Sequence, residues 1–509
     1  MNLKVKSILL SILSGLFLAS IFPKVDLFFL AWFAFIPLLF AIKKTNAKCA
    51  FWLGVLTGFC FYALTIYWLF AMLKFNTGSA LQAGISCLIL WFYLALYFGV
   101  WAYLIKKTKK LFACKILFAL WASCLWVGLE YLRTYFLTGF SWELLGYSQH
   151  KVLPIIQIAE FFGVYGVSFI IIFINFLIYF WIQNFKQIKF LLGAIAILIV
   201  VFGFGFIRLE KFKNFGDYVF DAVIVQPSVD QYKKWDKKYR NEILQELKFY
   251  AAEIADTEKE LVIWPETAIP IVLYKDRDFD FVKNIAQTAG GFNIFGALFV
   301  DNHDLFFNTL IAFKNEQDYY MHKKNHLVVF GEYVPFRKFL AQFFDILNGL
   351  GDIQKGKGVE VFFYDKLAVG PLICSENFFP DFSRQLVRSG AQIFTNHTND
   401  AWFFKTAAPY QHFIMNIFRA VENRKMVLVS ANSGVSGVID VNGKVLQQMP
   451  IFADALIYTK ARQNGYQTFY TKFGDIFVWA NIAFAVLALG WAAARAWMRK
   501  RRKKKKEKQ

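Results

Sequence analysis

The stretch LAVGPLICSEN, from Leu367 to Asn377, is an apolar run that ends abruptly at a thiol and three polar residues. Short apolar runs bounded by polar residues are typical of buried strands. The pattern therefore predicts a strand over Leu367–Ile373 that delivers Cys374 to its carboxyl end. Because a lone buried cysteine often packs as a small apolar residue, the stretch alone leaves both core packing and chemistry open.

The composition of the whole chain is that of a membrane protein with an attached domain. Of its 509 residues, 57% are hydrophobic and 19% are aromatic. Apolar segments of about 17 to 25 residues match the thickness of a hydrocarbon core. Eight such segments are predicted, seven of them before residue 210, at approximately Ser7–Phe22, Leu27–Ile42, Ala50–Leu73, Leu81–Ile105, Leu111–Leu132, Leu153–Ile182, Phe190–Ile207 and Ile476–Met498.

These segments predict three regions: a seven-helix membrane region over 1–210, an extramembrane domain over 211–470, and an eighth helix with a basic tail over 471–509. In the middle region, short strands alternate with amphipathic helices, which indicates an α/β or α+β sandwich. The predicted strands are Val219–Val225, Leu261–Trp264, Asn293–Val300, Leu305–Phe313, Tyr319–Lys323, Val359–Tyr364, Leu367–Ile373 and Gln392–Thr395. The predicted helices are Lys237–Ala255 and Pro409–Lys425, and a hairpin turn is predicted at Asn442 and Gly443.

Lysine and arginine residues in the short loops predict the orientation in the membrane. They are concentrated before the first apolar segment and after the second, fourth and sixth segments. Because cytoplasmic loops are enriched in cations, both termini are predicted inside and the 211–470 domain outside. The tail RKRRKKKKEKQ, from Arg499, supplies much of the formal +21 charge. The charge therefore indicates a topology anchor or contact with anionic lipid, and not nucleic-acid binding.

Cysteine usage makes Cys374 a candidate for chemistry. The other cysteines lie in or beside apolar segments without metal-ligand spacing, at Cys49, Cys60, Cys87, Cys114 and Cys124. Cys374 is the only cysteine of the 211–470 region, so it has no disulfide partner within that domain. An unpaired thiol in an exported domain calls for a chemical role.

Two charged residues follow or interrupt apolar runs in a similar way. Glu266 follows IWP after a predicted strand, and Lys324 lies in HKKNH before LVVF. A carboxylate can accept a thiol proton, and an ammonium can stabilise both a thiolate and an oxyanion. Together with Cys374, these residues are predicted to act as base, cation and nucleophile. No metal or cofactor is predicted, because His326 and His397 belong to no recognised cysteine-histidine spacing.

Several motifs resemble those of the apolipoprotein N-acyltransferases in order and spacing. They are IWPET at 263–267, KNHLVVFGEYVPFR at 324–337, ICSE at 373–376 and NDAWF at 399–403. The resemblance continues in the membrane region through LEYLRTYFLTGFSWELLGYSQ at 129–149. It covers almost the whole chain.

The resemblance implies a bundle of eight transmembrane helices with an inserted nitrilase-like α-β-β-α sandwich domain. It also implies a catalytic triad of Glu266, Lys324 and Cys374. Further positions match an essential glutamate, a glutamate beside the nucleophile and a tryptophan near the lipid-binding cleft, namely Glu332, Glu376 and Trp235.

The implied activity transfers an acyl chain from a phospholipid, usually phosphatidylethanolamine, to the α-amino group of a diacylglyceryl-cysteine on an apolipoprotein. The reaction passes through a thioester on the catalytic cysteine. The implied location is the bacterial inner membrane, with a periplasmic catalytic domain and cytoplasmic termini. A membrane-anchored nitrilase-like amidase acting on a small amide is the alternative, because it would use the same triad. A non-catalytic lipid-binding or transport protein would not need the three groups together.

Three positions depart from the family pattern. The family often has an aromatic residue in place of Ser375, a proline in place of Val329 and a glycine in place of Phe404. We expect these differences to affect the acyl pocket and the donor preference. In the membrane region, Glu130 and Arg133 are expected either to pair with each other or to position a lipid head group.

Overall fold

The computed structural model describes residues 3–274, 279–315, 318–335, 337 and 352–506. The chain folds into two compact units, one formed by Met1–Arg208 with Phe473–Gln509 and the other by Leu209–Lys472. The first unit is helical, and the second combines strands and helices. The mixed unit is therefore inserted between parts of the helical one.

Six helices in the described part of the chain are long and apolar enough to cross a membrane. At a rise of 1.5 Å per residue, about 20 residues span a hydrocarbon core of about 30 Å. The six are Ala47–Thr65, Ala80–Leu111, Lys115–Thr138, Ala159–Gln183, Lys189–Lys211 and Ile476–Met498. The first two predicted segments instead form the Leu3–Ser20 helix and shorter elements within Phe28–Ala41. The count of eight crossings thus stays a prediction.

Two of the predicted apolar segments contain breaks. The third segment is not one helix, because the first helix ends at Thr65 and a second one, Trp68–Thr77, follows it. In the sixth segment, the Ala159–Gln183 helix contains Gly163 with a φ of 63°, a conformation that glycine adopts without a Cβ clash. Hydropathy therefore locates these segments, but it does not detect their internal breaks.

The Ala47–Thr65 and Ala80–Leu111 helices pack closely through small residues. A Cβ atom on Gly54 would lie 2.6 Å from the carbonyl oxygen of Phe98, and a Cβ on Gly99 would meet a similarly close neighbour. Small residues at such contacts let helix backbones approach each other within a membrane. Larger side chains at these positions would separate the two helices.

The second unit contains thirteen strands among the described residues, numbered in chain order. They are β1 (Tyr218–Gln226), β2 (Leu261–Ile263), β3 (Val272–Tyr274), β4 (Phe292–Val300), β5 (Phe306–Phe313), β6 (Tyr319–Lys323), β7 (Phe362–Tyr364), β8 (Leu367–Ile373), β9 (Ile393–Thr398), β10 (Val427–Ala431), β11 (Gly437–Ile439), β12 (Val445–Gln448) and β13 (Ala455–Gln463). The α-helices within the unit are Gln231–Lys234, Arg240–Ala255, Phe279–Ala289, Pro380–Arg388, Ala408–Asn423 and Phe469–Phe473.

These strands form two sheets with the orders β13-β1-β2-β4-β5-β6 and β12-β11-β10-β9-β8-β7, and β3 pairs with β4. In the first sheet, β2 and β4 are parallel, and β6 has the same direction because β5 is antiparallel to both of its neighbours. In the second sheet, β8, β9 and β10 are parallel. Within each sheet, the carboxyl ends of these strands therefore lie at the same end.

Alternating side chains place the two sheets face to face between helices. Ile263 and Ile294 of the first sheet share one buried apolar core with Val369 and Leu428 of the second. The opposite face of the first sheet packs against the Arg240–Ala255 and Phe279–Ala289 helices. The Pro380–Arg388 and Ala408–Asn423 helices pack on the second sheet. This order of layers is the predicted α-β-β-α sandwich, and it follows from the two-residue period of strand side chains.

The sequence pattern predicts most strands of the sandwich but not all of them. Tyr319–Lys323 and Leu367–Ile373 have the predicted bounds, whereas the predicted strand over Val359–Tyr364 shortens to Phe362–Tyr364. The pattern does not predict β3, β10 or β13. In β13, Lys460 and Arg462 interrupt the apolar alternation, which conceals the strand.

Candidate active site

Each of the three side chains predicted to be catalytic follows the carboxyl end of a strand. Cys374 directly follows β8, Lys324 directly follows β6, and Glu266 lies shortly after β2. The Nζ atom of Lys324 lies 3.2 Å from Oε1 of Glu266, and the charges of both residues act on the Cys374 thiol. The fold thus brings together residues that are up to 108 positions apart in the sequence.

Lys324 lies between the buried carboxylate of Glu266 and the partly buried carboxylate of Glu332. Its Nζ atom is 3.2 Å from Oε1 of Glu266 and 2.9 Å from Oε1 of Glu332. The amide of Asn308 donates to the same two oxygens, at 2.7 Å and 2.9 Å. Both carboxylates also accept a backbone N–H, Glu266 from Asn399 and Glu332 from Val328. The residues form one hydrogen-bonded group, in which each carboxylate has a fixed position.

Opposite charges determine the ionisation of this group. Burial alone would raise the pKa of Glu266, but the Lys324 ammonium and the Asn308 amide outweigh burial and lower it. Burial would likewise lower the pKa of Lys324, but Glu266 and Glu332 outweigh it and raise the pKa. The carboxylate of Glu266 is therefore ionised near neutral pH and able to accept a proton.

Cys374 is held as a neutral thiol in a constrained backbone conformation. Burial and the nearby Glu266 carboxylate raise its pKa well above the ordinary value, although Lys324 acts in the opposite direction. Its φ of 48° lies in the left-handed region, which costs a residue with a Cβ about 1 kcal/mol or more. A thiol of this kind needs a base at the moment of attack, and Glu266 is the carboxylate in place to serve as one.

A second group of polar side chains lies beside the nucleophile. Oδ1 of Asp400 accepts hydrogen bonds from Nδ1 of His412 and from the hydroxyl of Thr398, both at 2.8 Å. Nε2 of His412 lies 3.2 Å from the carbonyl oxygen of Cys374. The thiol of Cys374 and ligand atoms of Asp400 and His412 lie within 4.8 Å of one another, a spacing that could hold a metal ion. This arrangement was not expected from the sequence.

The hydrogen bonds of His412 fix the position of its ring. Nδ1 faces the Asp400 carboxylate, while Nε2 faces the Cys374 carbonyl oxygen and, at 3.1 Å, Oδ1 of Asn377. A carboxylate oxygen only accepts hydrogen bonds, so Nδ1 is the ring nitrogen that donates to Asp400. His412 therefore connects Asp400 to the backbone of the nucleophile.

Both parts of the chain match family models. Residues 14–177 match the apolipoprotein N-acyltransferase N-terminal domain, and residues 222–469 match the carbon-nitrogen hydrolase domain. The chain is 35% identical to the apolipoprotein N-acyltransferase of Geobacter metallireducens, over 96% of this chain and 95% of that protein. It is 31% identical to the one from Rickettsia prowazekii, over 95% of this chain and 97% of that protein.

The chain belongs to the apolipoprotein N-acyltransferase family. It is accordingly a membrane protein of the acyltransferase class, with a nitrilase-like domain carried by a helical region. Among solved structures, a Saccharomyces cerevisiae member of branch 10 of the nitrilase superfamily aligns with 48% of this chain and 91% of its own length. That alignment has a TM-score of 0.39 and 18% identity.

Glu376 is buried, and its carboxylate hydrogen-bonds to the segments that carry Cys374 and Lys324. Its carboxylate lies 3.1 Å from Nε2 of His322 and accepts backbone N–H groups from Asn325 and Ile373. The pKa of Glu376 is lowered, because His322 and these donors outweigh the effect of burial. Since Ile373 precedes Cys374 and Asn325 follows Lys324, this one carboxylate positions both segments.

Trp235 stands at the end of a short helix that contacts the Glu266 segment. The preceding residue, Lys234, is buried and donates to the backbone oxygen of Glu266 and to the hydroxyl of Thr267. Burial lowers the pKa of Lys234 to about 7. The Trp235 side chain is 39% exposed, so its ring is accessible at the end of this helix.

The two histidines named in the sequence analysis are not part of the carboxylate group. The ring of His326 stacks on Phe379 at 4.0 Å between centroids. The ring of His397 is buried between the Trp264 carbonyl oxygen and the Thr395 hydroxyl, and burial lowers its pKa to about 4. Neither ring contacts Glu266 or Lys324 among the hydrogen bonds of the described residues.

The departures from the family pattern have different structural settings. Phe404 has a φ of 54° and a ψ of −164°, a region that suits glycine, so its side chain is accommodated at a backbone cost of about 1–3 kcal/mol. Ser375 donates from its hydroxyl to the carbonyl oxygen of His326 at 3.1 Å. Val329 pairs with Tyr333 in an isolated bridge.

Asn308 and His412 are site residues that sequence reasoning did not identify. Asn308 is a polar residue within the apolar strand β5, and this interruption is the signal that would have marked it. Asp400 lies in the motif NDAWF and His412 lies in the segment PYQHF at 409–413, and the sequence assigns a role to neither residue. Only the sheet topology shows that they lie beside Cys374.

Replacing His412 by glutamine is expected to slow acylation of Cys374 about ten-fold, because the ring contacts with the Asp400 carboxylate and with the Cys374 carbonyl oxygen are lost. The measurement is the rate of acyl-enzyme formation by the full-length protein. His303→Gln, at an exposed position, is the matched control. An unchanged rate in His412→Gln would rule out a positioning role for this ring.

Proposed function

We propose that this protein transfers an acyl chain from a phospholipid to the N-terminal α-amino group of the diacylglyceryl-cysteine of an apolipoprotein. Phosphatidylethanolamine is the proposed donor, and the proposed catalytic residues are Glu266, Lys324 and Cys374. The observation that carries this proposal is the Glu266–Lys324–Glu332 group beside the thiol, in a chain whose relatives named apolipoprotein N-acyltransferase align over nearly its full length.

In the first half-reaction, Glu266 accepts the proton of Cys374 while the sulfur attacks the ester carbonyl carbon of the phospholipid. Lys324 stabilises the oxyanion of the tetrahedral intermediate, together with backbone N–H groups. The bond from the carbonyl carbon to the glycerol oxygen then breaks, and Glu266 returns its proton to that oxygen. The products are a lysophospholipid and a thioester on Cys374.

In the second half-reaction, the α-amino group of the apolipoprotein attacks the thioester carbonyl. The C–N bond forms, the C–S bond breaks, and the amine proton passes through Glu266 to the departing sulfur. The products are an amide and the free thiol of Cys374. Because both substrates use one nucleophile in turn, the kinetics are expected to be ping-pong.

The proposed topology places this chemistry outside the cytoplasm. The proposed location is the bacterial inner membrane, with residues 211–470 as a periplasmic catalytic domain and both termini in the cytoplasm. The 1–210 region and the 471–509 segment form the membrane-embedded part. Loop cations and the basic tail support this orientation. The exposed ring of Trp235 is the proposed contact for the acyl chain.

Thioester formation is expected to depend little on pH between about pH 6 and 8. Burial raises the pKa of Glu266, but Lys324 outweighs burial and lowers it. The base is therefore ionised throughout this range. Burial and Glu266 raise the pKa of Cys374, so the thiol is protonated throughout. Label incorporation from a phospholipid at each pH tests this expectation. A strong inflection near pH 6.5 would instead indicate a histidine base.

The decisive test supplies the purified protein with a phospholipid that carries a labelled acyl chain and then with a diacylated lipopeptide. We expect a hydroxylamine-sensitive label on the protein, followed by a lipopeptide whose mass has increased by one acyl chain. If the lipopeptide stays unmodified and the label is released only as free fatty acid, the proposed transfer is wrong. Cleavage of small amides without labelling by phospholipid would favour the amidase alternative.

A further inference from the structure

The short Gln231–Lys234 helix of the sandwich unit ends in a buried lysine side chain. Lys234 is 2% exposed, and in the described part of the chain it forms no ion pair within 4.0 Å. Its Nζ atom donates instead to the backbone oxygen of Glu266 at 3.3 Å and to the hydroxyl of Thr267 at 2.9 Å. Burial of an amine is costly unless hydrogen bonds offset its desolvation. Both hydrogen bonds of this side chain go to the segment that carries the proposed base.

A second buried side chain of the same helix reaches the carboxylate of Glu266. Oε1 of Gln231 accepts the side-chain amide of Asn399 at 2.7 Å, and the backbone N–H of Asn399 donates to Oε2 of Glu266 at 3.0 Å. The side-chain oxygen of Asn399 in turn accepts the amide of Asn432 at 3.1 Å. The helix therefore contacts Glu266 along two routes, to its backbone through Lys234 and to its carboxylate through Asn399.

The Glu266 segment is held in a constrained backbone conformation. A Cβ atom on Gly296, in β4, would lie 2.3 Å from the carbonyl oxygen of Pro265 and 2.4 Å from the backbone nitrogen of Thr267, so the segment packs where only glycine leaves room. Thr267 has a φ of 48°, in the left-handed region, which is unfavourable for a β-branched residue. Such strain persists only where surrounding contacts hold it, and the hydrogen bond from Lys234 is one of these contacts.

We propose that Lys234, supported by Gln231, is a positioning residue for the Glu266 base. Lys234 holds the backbone of Glu266 and Thr267, so the carboxylate keeps its place while it accepts and returns the proton of Cys374. This inference rests on the proposed function, because it assigns Lys234 a part in the reaction that Glu266 serves. Lys234 does not itself contact the reacting atoms, since its hydrogen bonds go to the backbone oxygen of Glu266 and to the Thr267 hydroxyl.

The two hydrogen bonds of Lys234 do not depend on its charge. Burial lowers the pKa of Lys234 to about 7, so its amine is partly neutral near this pH. An ammonium has three N–H donors and a neutral amine has two, and two acceptors are present. The positioning contact therefore persists across neutral pH.

The test follows alkylation of Cys374 by iodoacetamide in the full-length protein, without any phospholipid. Alkylation forms an S–C bond, expels iodide and passes the thiol proton to Glu266, so its rate reports the action of the base. At pH 8, where Lys234 is mostly uncharged, Lys234→Met is expected to slow this reaction about ten-fold through the lost hydrogen bonds. A lysine that only stabilises the fold would have the opposite effect, because a loosened domain exposes the partly buried thiol to the reagent. An unchanged or faster rate in Lys234→Met would therefore overturn the proposal.

Two controls accompany this measurement. Cys114, an exposed thiol of the helical unit, is alkylated in the same sample and gives the reference rate when the two peptides are separated by mass. Lys237→Met makes the same substitution at an exposed position three residues later, and it should keep the natural rate at Cys374.

A second variant tests the route through Asn399. Gln231→Leu removes the acceptor of the Asn399 amide and should slow the alkylation of Cys374 about three-fold. If Lys234→Met does not fold, Gln231→Leu decides the question, and a natural rate in this variant would overturn the proposal.

A second arm separates this inference from the proposed function. Acyl-enzyme formation from a labelled phospholipid is expected to fall in Lys234→Met by the same factor as alkylation, because Glu266 accepts the thiol proton in both reactions. If alkylation slows but no phospholipid labels the natural protein, Lys234 positions the base and the proposed function is wrong. If phospholipid labels the natural protein and Lys234→Met equally, and their alkylation rates are equal, the proposed function stands and the positioning role is wrong.

Discussion

Replacing Cys374 by alanine is expected to abolish the hydroxylamine-sensitive acyl label completely. Thioester formation needs a sulfur nucleophile, and Cys374 is the only cysteine beside the Glu266 and Lys324 pair. The loss should exceed that of any neighbouring substitution, because no second thiol lies in the 211–470 region. The measurement is label incorporation from a phospholipid into the full-length protein, resolved by denaturing electrophoresis before and after hydroxylamine.

The matched control for this substitution is Cys114→Ala, which removes an exposed thiol from the helical unit. This variant should keep full labelling. The fold of Cys374→Ala should also persist, because the side chain removed is small and alanine fits a position that packs against the sandwich core. A label that remains in Cys374→Ala would show that another residue is the nucleophile.

Replacing Lys324 by methionine is expected to abolish acylation and to destabilise the domain as well. The ammonium separates the carboxylates of Glu266 and Glu332, and without it the charges of one buried and one partly buried carboxylate face each other. Breaking a buried ion pair from one side lowers the free energy of unfolding by about 3–5 kcal/mol. Thermal or denaturant unfolding of the full-length protein measures the stability, and phospholipid labelling measures the acylation.

A double variant separates these two effects of Lys324. In Lys324→Met with Glu332→Gln, one of the two facing charges is removed, so most of the lost stability should return. Acylation should not return, because the ammonium that stabilises the oxyanion is still absent. If the double variant recovers both stability and acylation, Lys324 has only a structural role. Near-normal labelling in Lys324→Met alone would also show that Lys324 has only a structural role.

The sandwich could be predicted from the sequence wherever apolar runs end in polar residues. β8 and β6 have the predicted bounds, because their apolar residues are followed directly by Cys374 and Lys324. Charged strands such as β13 were missed, because local pattern does not show that a strand at the edge of a sheet tolerates lysine and arginine on one face. Hydropathy predicts one apolar segment over Ala50–Leu73, but it does not report the break after Thr65.

Parts of the candidate site could be predicted only as separate residues. Glu266 and Lys324 interrupt apolar patterns, which makes them visible one at a time, but their 3.2 Å contact depends on the order of strands in the sheet. Asn308 interrupts the apolar strand β5, but no local pattern shows which residues Asn308 and His412 contact. Glu130 and Arg133 form no ion pair in the described part of the chain, which was also beyond prediction, because a spacing of three residues on a helix favours one.

The arrangement of Lys324 between Glu266 and Glu332 affects whether an amine or water attacks the thioester on Cys374. The charges of these three residues sum to one negative charge, and the neutral thiol does not change that sum. Lys234 beside Glu266 offsets it only in part near neutral pH, because burial lowers the pKa of Lys234 to about 7. Once the acyl chain is on Cys374, a site of this sign attracts a protonated amine and repels hydroxide. The ionised Glu266 can then take the proton that the amine must lose before it attacks. In the proposed mechanism, the local charge therefore favours transfer to a lipoprotein amine over hydrolysis of the thioester.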